Sequence, residues 1–481
     1  MALTDDEILG QNRWWTDASW HARDPHLDRL ERQPMRLSTE VVATLDLDLP
    51  GIHILRGPRQ VGKSTDLKLL VRRAIDAGRA PRSIVYLALD LLEGQPHAEL
   101  ARTVRRAKDL AGGSERCLLL LDEVTAVERW QTAVKALWDS GDLRQDVVAC
   151  TGSSAIDLQQ GAAERLPGRR EAGVDHLLLP QSFAAFARAV DATVPRSPRL
   201  SVGDLCTTAG VEALHEARLH APALERSLQR YLRFGGLPAS VAEAAGGADV
   251  PSAATRRVLS DSLARELQRR GASLPACQAL LERVARSLGS KTSWSQMARE
   301  MDVPLGRGRG RPSHHTLRDY IELMAAGYFL LVVYYWRSGA ETNEQSKDKK
   351  VLFADPLLHT IALDSAPGLQ PDIPALVENI VGVALYRGYE PTEHLPETFA
   401  LPERLHIWQT ARGGEIDFVC GPRRSLDVVE VKYRSDPGRS AAAAAARAHP
   451  GRPVVLVTKD VLAPGDAYSL IPAHLLLWAL G

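Results

Sequence analysis

The chain has 481 residues, which is too long for one ordinary hydrophobic core and predicts about three domains. Its apolar share of 45% and charged share of 25% are typical of a soluble globular protein, and its formal net charge of zero excludes binding of nucleic acid through an overall field. The five scattered cysteines argue against a zinc site or a disulfide framework. With an acidic start and no apolar run near the roughly 20 residues that span a bilayer, we expect a cytoplasmic protein with no membrane contact.

The most informative stretch is Gly57–Ser64, which fits the phosphate-binding pattern G-x-x-x-x-G-K-[ST] at every position. The apolar run Ile52–Leu55 before it predicts a buried strand, and helical spacing follows it. The backbone N–H groups of such a loop bind phosphate oxygens; Lys63 is expected to reach the β- and γ-phosphates of ATP, and the Ser64 hydroxyl to bind Mg²⁺. The predicted ATP-binding residues are Gly57, Pro58, Arg59, Gln60, Val61, Gly62, Lys63, Ser64 and Thr65.

The sequence after the loop is typical of an open parallel sheet. Apolar runs at Ser83–Asp90 and Leu118–Leu121 predict two strands, with a helix between them. The second run ends in Asp122 and Glu123, and its carboxyl end should lie beside the phosphate loop, because ligands of such sheets bind at that edge. We expect Asp122 to hold Mg²⁺ through water and Glu123 to polarise the water that attacks the γ-phosphate.

A further strand is predicted at Asp146–Cys150, followed by Thr151-Gly152-Ser153-Ser154. A polar side chain at that strand end can sense the γ-phosphate or place the water. Ser153 is the first candidate and Thr151 the second, and a simple Gly-Ser turn is the alternative.

The N-terminal arm contains the tandem pair Trp14 and Trp15. We interpret them as an apolar anchor that packs the arm on the domain. The alternative interpretation is that one of them lines the adenine pocket.

Together these motifs resemble those of AAA+-type ATPases, and more closely a bacterial and archaeal family with a C-terminal nuclease-like domain. The resemblance rests on Gln11–Trp15, Gly57–Ser64, Asp122-Glu123, Thr151–Ser154, Leu166–Arg170, Leu179–Phe183 and Tyr231–Pro238. It implies that Arg169 or Arg170 completes the site of a neighbouring subunit in a homo-oligomer, where a guanidinium stabilises charge on the transferred phosphoryl group. The alternative is a surface ion pair with a nearby glutamate.

Helical spacing at 184–190 and 211–234 predicts a small helical lid. The turn Gly235-Gly236-Leu237-Pro238 after it resembles that of switch-type nucleoside triphosphatases, in which the proline packs on the adenine. Pro238 is therefore a predicted nucleotide contact. An ordinary helix end is the alternative, since Gly followed by Pro gives one.

The middle of the chain predicts a winged helix: two helices, Ser293–Val303 and Ser313–Ala326, then the apolar run Tyr328–Tyr335. Arginines between the helices, and basic residues on the second, can follow a DNA backbone or lie on a solvated loop. These candidate DNA contacts are Arg307, Arg309, Arg311, His314, His315 and Arg318. Residues 338–350 are polar and are predicted to be a mobile wing or tether.

The C-terminal order of helix, three strands, helix and strand resembles restriction-endonuclease-like folds, and within them the Holliday-junction-resolvase branch. Asp417 and Glu430 on adjacent strands predict a Mg²⁺ or Mn²⁺ site, with Glu378 as a further ligand. Lys432, two residues after Glu430 and so on the same strand face, can orient or activate water. The alternative is an ion-pair cluster in a domain that only binds DNA or protein.

The predicted fold class is therefore α/β: a P-loop ATPase core with a parallel sheet (1–190), a helical lid (191–247), a winged-helix domain (248–350) and a restriction-endonuclease-like α/β domain (351–481). The predicted function is ATP binding and hydrolysis coupled to action on DNA, branched DNA included. The alternative is an ATP-driven switch that signals to a protein partner and carries an inactive nuclease-like domain.

Overall fold

The computed structural model describes residues 2–33, 40–113, 116–152, 171–268, 271–305, 310–336, 344–366, 368–390, 399, 401–409, 415–422, 425–437, 443–444, 446–447, 451–465 and 467–481. They divide into two compact units, the first ending at Leu179 and the second beginning at Pro180. No helix within these ranges is both long and apolar enough to cross a membrane. The finer division into four domains stays a prediction, and the predicted lid helices are part of the second unit.

The first unit is built around a sheet whose described strands have the order β2-β3-β4-β1-β5 and pair in parallel throughout. Its strands are β1 (Gly51–Arg56), β2 (Ile84–Ala88), β3 (Leu118–Asp122), β4 (Val147–Thr151) and β5 (Asp175–Leu177). Its helices are α1 (Asp5–Gln11), α2 (Pro25–Arg32), α3 (Glu40–Thr44), α4 (Lys63–Asp76), α5 (His97–Leu110) and α6 (Trp130–Asp139). β1, β3 and β4 are buried along their whole length, as expected of parallel strands covered on both faces. The predicted parallel sheet is confirmed.

Sequence analysis did not predict β5. This strand has three residues, of which two are the polar Asp175 and His176, so it lacks the apolar run that predicted the other strands. The carboxylate of Asp175 is buried and lies 2.9 Å from the guanidinium of Arg56, the last residue of β1. The buried carboxylate of Asp175 is therefore paired with a cation inside the same unit.

β2 is the outer strand of this sheet, and side chains of the N-terminal arm bind its main chain. The side-chain amide of Asn12 accepts from the Tyr86 N–H at 2.7 Å and donates to the Tyr86 carbonyl at 2.9 Å. The indole N–H groups of Trp14 and Trp15 both donate to the Ile84 carbonyl, at 3.1 and 2.8 Å. Both tryptophans are buried, so they anchor the arm on the sheet as the first interpretation expected.

The second unit contains a mixed sheet whose described strands have the order β12-β11-β10-β9-β8-β6-β7. The strands are β6 (Leu330–Tyr335), β7 (Glu344–Phe353), β8 (Leu405–Gln409), β9 (Glu415–Cys420), β10 (Asp427–Val431), β11 (Val454–Thr458) and β12 (Ser469–Pro472). The helices are α7 (Phe183–Val190), α8 (Val202–Leu205), α9 (Thr208–Ala217), α10 (Ala221–Phe234), α11 (Pro238–Ala245), α12 (Ala253–Gln268), α13 (Leu274–Ala285), α14 (Trp294–Arg299), α15 (His314–Ala326), α16 (Pro356–Ser365), α17 (Ile373–Tyr389) and α18 (Ala473–Leu480).

The hairpin β6–β7 belongs to this mixed sheet, because β6 also pairs with β8 through Tyr335 and Ile407. The stretch predicted to be a mobile wing or tether is therefore a strand of this sheet from residue 344 onward. Lys349 and Lys350 are each 1% exposed. The polar composition of this stretch predicts exposure to solvent. In the structure, Lys349 and Lys350 are buried and contact other groups of the same unit.

The predicted lid turn is tied to the C-terminal part of the second unit. The Gly236 N–H donates to Asp355 Oδ2 at 2.7 Å, and Asp355 also caps α16 by accepting from the Leu357 N–H at 2.9 Å. Burial raises the pKa of Asp355 to about 6, although both N–H groups favour its ionised form. Pro238 is the first residue of α11, and its predicted contact with a nucleotide stays a prediction.

Candidate functional site

The phosphate loop runs from the end of β1 to the start of α4. Gly57 has a φ of 149°, and a Cβ there would lie 2.1 Å from the Leu178 carbonyl oxygen, so only glycine fits. Gly62, directly before α4, has a φ of 103°, a left-handed conformation that favours glycine. The backbone therefore makes the turn that a loop of inward-facing N–H groups requires, with the N-terminus of α4 behind it.

The lysine of the motif lies on its own loop. Lys63 Nζ donates to the carbonyls of Gly57 and Pro58, at 2.9 and 2.8 Å, and the side chain is 7% exposed. Ser64 and Thr65 lie in the first turn of α4 and are half-buried. The ammonium group is thus held at the loop, where the oxygens of a phosphate are able to replace neutral carbonyls as its partners.

Asp122 ends β3 and is held by hydroxyl groups from both neighbouring strands. The Thr151 hydroxyl on β4 donates to Oδ1, and the Tyr86 hydroxyl on β2 donates to Oδ2 at 2.8 Å. Thr151 is paired in register with Leu55, two residues before Gly57. The carboxylate and the phosphate loop therefore share the carboxyl edge of the sheet, as predicted.

Glu123 has a left-handed backbone, with φ 57° and ψ 41°. For a residue with a side chain this conformation costs on the order of 1–2 kcal/mol. Its N–H donates to the Thr151 hydroxyl oxygen at 3.3 Å, and the side chain is half-buried. Strained backbone of this kind is typical of functional positions, so the observation agrees with a role for this acid.

The structure brings Thr151, the second candidate for the strand-end position, next to Asp122 and Glu123. Ser153, the first candidate, lies outside the described residues. Arg169 and Arg170 also lie outside them. Their predicted roles stay predictions.

Sequence analysis missed Tyr86 and Lys68. The ammonium group of Lys68 lies 3.4 Å from the centroid of the Tyr86 ring and 3.6 Å from Asp24 Oδ2. Burial lowers the pKa of Lys68 to about 8, against the effect of Asp24 and Asp122. Burial also raises the pKa of Tyr86, so its hydroxyl keeps the proton that it donates to Asp122. The available signals were a tyrosine inside an aliphatic strand and a lysine on the apolar stripe of α4.

In the second unit the structure brings together the four residues predicted for the nuclease-like site. Glu378 lies on α17, Asp417 on β9 and Glu430 on β10, and Lys432 follows β10 directly. The Asp417 N–H donates to Glu430 Oε2 at 3.2 Å. Lys432 Nζ lies 2.7 Å from Glu430 Oε1 and 4.0 Å from Asp417 Oδ2.

A fifth residue lies between these carboxylates. Lys350 Nζ, on β7, is 2.7 Å from Glu378 Oε1, 2.7 Å from Asp417 Oδ1 and 3.3 Å from Glu415 Oε1. Across the described ranges, no group of three or more His, Cys, Asp or Glu side chains is arranged to hold a metal ion. As they lie around the ammonium group, Glu378, Asp417 and Glu430 are not arranged to hold a metal ion, and their role as metal ligands stays a prediction.

The electrostatics of this cluster favour a charged lysine. Burial alone would lower the pKa of Lys350, but Asp417 and Glu378 outweigh burial and raise it above its ordinary value. Burial and the charge of Asp417 raise the pKa of Glu378 to about 7, and the ammonium of Lys350 opposes that rise. The ammonium group of Lys350 therefore favours the ionised form of Glu378.

Two of the candidate DNA contacts have acidic partners. Arg311 lies 2.7 Å from Asp302, and Arg318 lies 2.7 Å from Glu322. His314 and His315 are exposed at the start of α15. Arg307 and Arg309 lie outside the described residues.

Residues 50–187 match the AAA domain family, and this span contains the phosphate loop, Asp122, Glu123 and Thr151. From residue 50 onward, the first unit is therefore similar to an AAA domain. Residues 225–367 match a domain of unknown function (DUF8612), which begins within α10 and ends after α16.

An uncharacterized protein of Methanocaldococcus jannaschii is 22% identical over 220 residues, which are 42% of this chain and 41% of that protein. The match therefore spans about two fifths of this curated relative. A Walker-type ATPase of Pyrococcus abyssi is 17% identical, with 72% of this chain and 95% of that chain covered and a TM-score of 0.37. The ORC1 protein of Aeropyrum pernix, solved in complex with DNA, is 15% identical, with coverages of 74% and 96% and a TM-score of 0.28.

Proposed function

We propose that the AAA domain binds and hydrolyses ATP at the carboxyl edge of its sheet. The observation that carries the proposal is the placement of Asp122, oriented by the hydroxyls of Thr151 and Tyr86, at the edge that also bears the phosphate loop. Ser64 and Asp122 are the residues that would hold Mg²⁺. When bound, that ion neutralises charge on the β- and γ-phosphate oxygens.

The other residues of the site act directly on the nucleotide or on water. The loop N–H groups and Lys63 bind the phosphates, and the ammonium exchanges the carbonyls of Gly57 and Pro58 for phosphate oxygens. Glu123 accepts a proton from the attacking water, and its left-handed backbone directs the chain away from the strand at that point. Arg169 or Arg170 of a second copy would complete the site in a homo-oligomer.

Glu123→Gln tests this mechanism, because it keeps the shape of the side chain and removes the base. We expect nucleotide binding, followed with a fluorescent ATP analogue and Mg²⁺, to stay within about twofold of the unmodified chain. ATP turnover should fall by roughly 10²- to 10⁴-fold. The matched control is Glu128→Gln, because Glu128 is a nearby acid beyond the end of β3. This variant should leave turnover unchanged. Normal turnover in Glu123→Gln would contradict the role given to this acid.

We further propose that the ATP cycle acts on DNA through the middle of the chain. Support comes from the order of α14, α15 and the β6–β7 hairpin along the chain, which resembles the order in a winged helix. The ion pairs of Arg311 and Arg318 are partly or fully exposed, and such pairs contribute about 0–1 kcal/mol, so phosphates can replace their acidic partners.

The DNA proposal is tested by ATP turnover with linear and branched DNA at several salt concentrations. A combined Arg311→Ala and Arg318→Ala variant should lose stimulation by DNA while its basal turnover stays unchanged. Arg286→Ala is the control, since Arg286 forms a similar surface ion pair with Glu282 on α13. Turnover that ignores DNA of every shape would remove the DNA proposal and leave the ATPase proposal standing.

A second candidate function is an ATP-controlled switch for a protein partner, with no cleavage of DNA. The specific observation in its favour is the cluster around Lys350, which does not fit the metal that a nuclease of this kind needs. Absence of Mg²⁺- or Mn²⁺-dependent cleavage, together with turnover indifferent to DNA, would favour this function.

A further inference from the structure

We propose that Lys350 is the permanent cation of the acidic cluster formed by Glu378, Glu415, Asp417 and Glu430, and that the cluster of the unmodified protein therefore takes up no divalent metal. The proposal concerns the second unit alone. It is independent of nucleotide binding by the AAA domain.

The geometry saturates the ammonium group. A lysine ammonium has three N–H donors and no acceptor. Lys350 Nζ has three carboxylate oxygens around it, at 2.7 Å from Glu378, 2.7 Å from Asp417 and 3.3 Å from Glu415. The Lys350 side chain is 1% exposed, so its ammonium group lies in the interior of the unit and not at its surface.

A divalent metal would need the same oxygens. Mg²⁺ binds carboxylate oxygens at about 2.0–2.1 Å, and it would compete for Glu378 Oε1 and Asp417 Oδ1. The ammonium nitrogen already bridges these two atoms at 2.7 Å from each. A second cation at that place would be repelled by the first at close range in a buried site. Metal binding therefore requires that Lys350 leave the cluster.

The main chain keeps Lys350 in place. Lys350 pairs with Val333 on β6, and the preceding residue, Lys349, exchanges two N–H···O bonds of 2.9 Å with Thr292. The strand is thus held on both sides around this position. Successive residues of a strand point to opposite faces, so Lys349 projects away from the acids, with Nζ 4.4 Å from the centroid of the Trp294 ring.

Removal of the ammonium group would leave the buried carboxylates of Glu378 and Asp417 without their nearest cation, while Lys432 stays beside Glu430, and that arrangement favours a divalent ion. Lys350→Met keeps most of the length of the side chain and removes its charge. We expect it to gain one Mn²⁺ site that is at least tenfold tighter than any Mn²⁺ binding of the unmodified chain. The added Asp417→Asn change should abolish the gain.

The measurement is Mn²⁺ titration of the full chain without nucleotide, followed by the electron paramagnetic resonance signal of unbound Mn²⁺. Lys349→Met is the matched control, because it removes the neighbouring buried lysine and leaves the acids their cation; it should bind Mn²⁺ like the unmodified chain. Thermal unfolding gives a second readout: Mn²⁺ should raise the Tm of Lys350→Met and leave that of Lys349→Met unchanged.

Three results would overturn the proposal. One is a Mn²⁺ site in the unmodified chain that Asp417→Asn removes. Another is a folded Lys350→Met that gains no Mn²⁺ site. The third is an equal gain in Lys349→Met. If Lys350→Met does not fold, the unmodified chain decides: Mn²⁺ binding that Asp417→Asn leaves unaltered supports the proposal, and binding that it abolishes contradicts it.

Discussion

Each unit of the protein holds a buried lysine at its candidate site, and the two lysines differ in what surrounds them. Lys63 of the first unit donates to neutral carbonyls of its own loop, so a charged phosphate is a better partner than those it has. Lys350 of the second unit instead donates to the buried carboxylates of Glu378 and Asp417. The comparison teaches that the partner of a buried charge, rather than the charge itself, separates a binding site from a structural cluster.

The largest expected effect tests the nucleotide-binding role that this comparison gives to Lys63. Lys63→Ala should abolish nucleotide binding and lower ATP turnover by about 100-fold or more, because the group that meets the phosphates is lost. Lys350→Met should leave the turnover per folded molecule unchanged. Isothermal titration with a non-hydrolysable ATP analogue and a phosphate-release assay measure both. Equal losses of turnover in the two variants would break the comparison.

The second largest expected effect tests the structural role that the comparison gives to Lys350. Lys350→Met should lower the free energy of unfolding by about 3–5 kcal/mol in the absence of metal, because it leaves buried carboxylates without their partner. Lys63→Met should lower it far less, since the carbonyls that it abandons are neutral. Urea unfolding followed by far-ultraviolet circular dichroism gives both values. A larger loss in Lys63→Met would reverse the assignment.

A third prediction concerns Asp355, the buried acid at the lid turn. Its pKa is raised to about 6 in the folded protein, so the folded state binds the proton more tightly than the unfolded state does. This contribution to stability is fully present below about pH 4 and is lost as the pH rises through 6, by up to about 3 kcal/mol. Asp355→Asn should remove this slope from urea unfolding measured between pH 4 and 7. An unchanged slope would contradict the assignment to Asp355.

The smallest effect sharpens the description of the ATP site. Thr151→Val removes the hydroxyl that orients Asp122, and we expect turnover to fall by about tenfold while nucleotide binding is kept. Thr103→Val is the matched control: Thr103 is a buried threonine of α5 whose hydroxyl oxygen accepts from the Leu3 N–H. An equal fall in both variants would indicate a general effect on stability.

The framework of the proposed ATP site could be predicted because its signal is local. Gly57–Ser64 is one continuous motif, and the strand–loop–helix context on either side follows from short apolar patterns. The partners of Asp122 were harder to predict. Tyr86 reaches it because β2 and β3 are neighbours in the sheet, and strand order is not written in any one stretch of the sequence.

The cluster of the second unit could be predicted from the sequence only in part. Glu378, Asp417, Glu430 and Lys432 were predicted to lie together, and they do. The polar composition of residues 338–350 predicts a mobile wing or tether, which places Lys350 in solvent. Its partners lie 28 and 67 residues further along the chain, so only the folded structure reveals them.

The N-terminal arm has a consequence for the solubility of the protein. Asn12, Trp14 and Trp15 occupy main-chain groups of β2 that would otherwise be open to a strand from another molecule. Because these partners are side chains and not another strand, the hydrogen-bonded ladder ends at β2. The edge of the sheet is thereby protected from pairing with a strand of another copy. Protection against cross-chain aggregation thus depends on a few residues near the N-terminus, far along the chain from the phosphate loop.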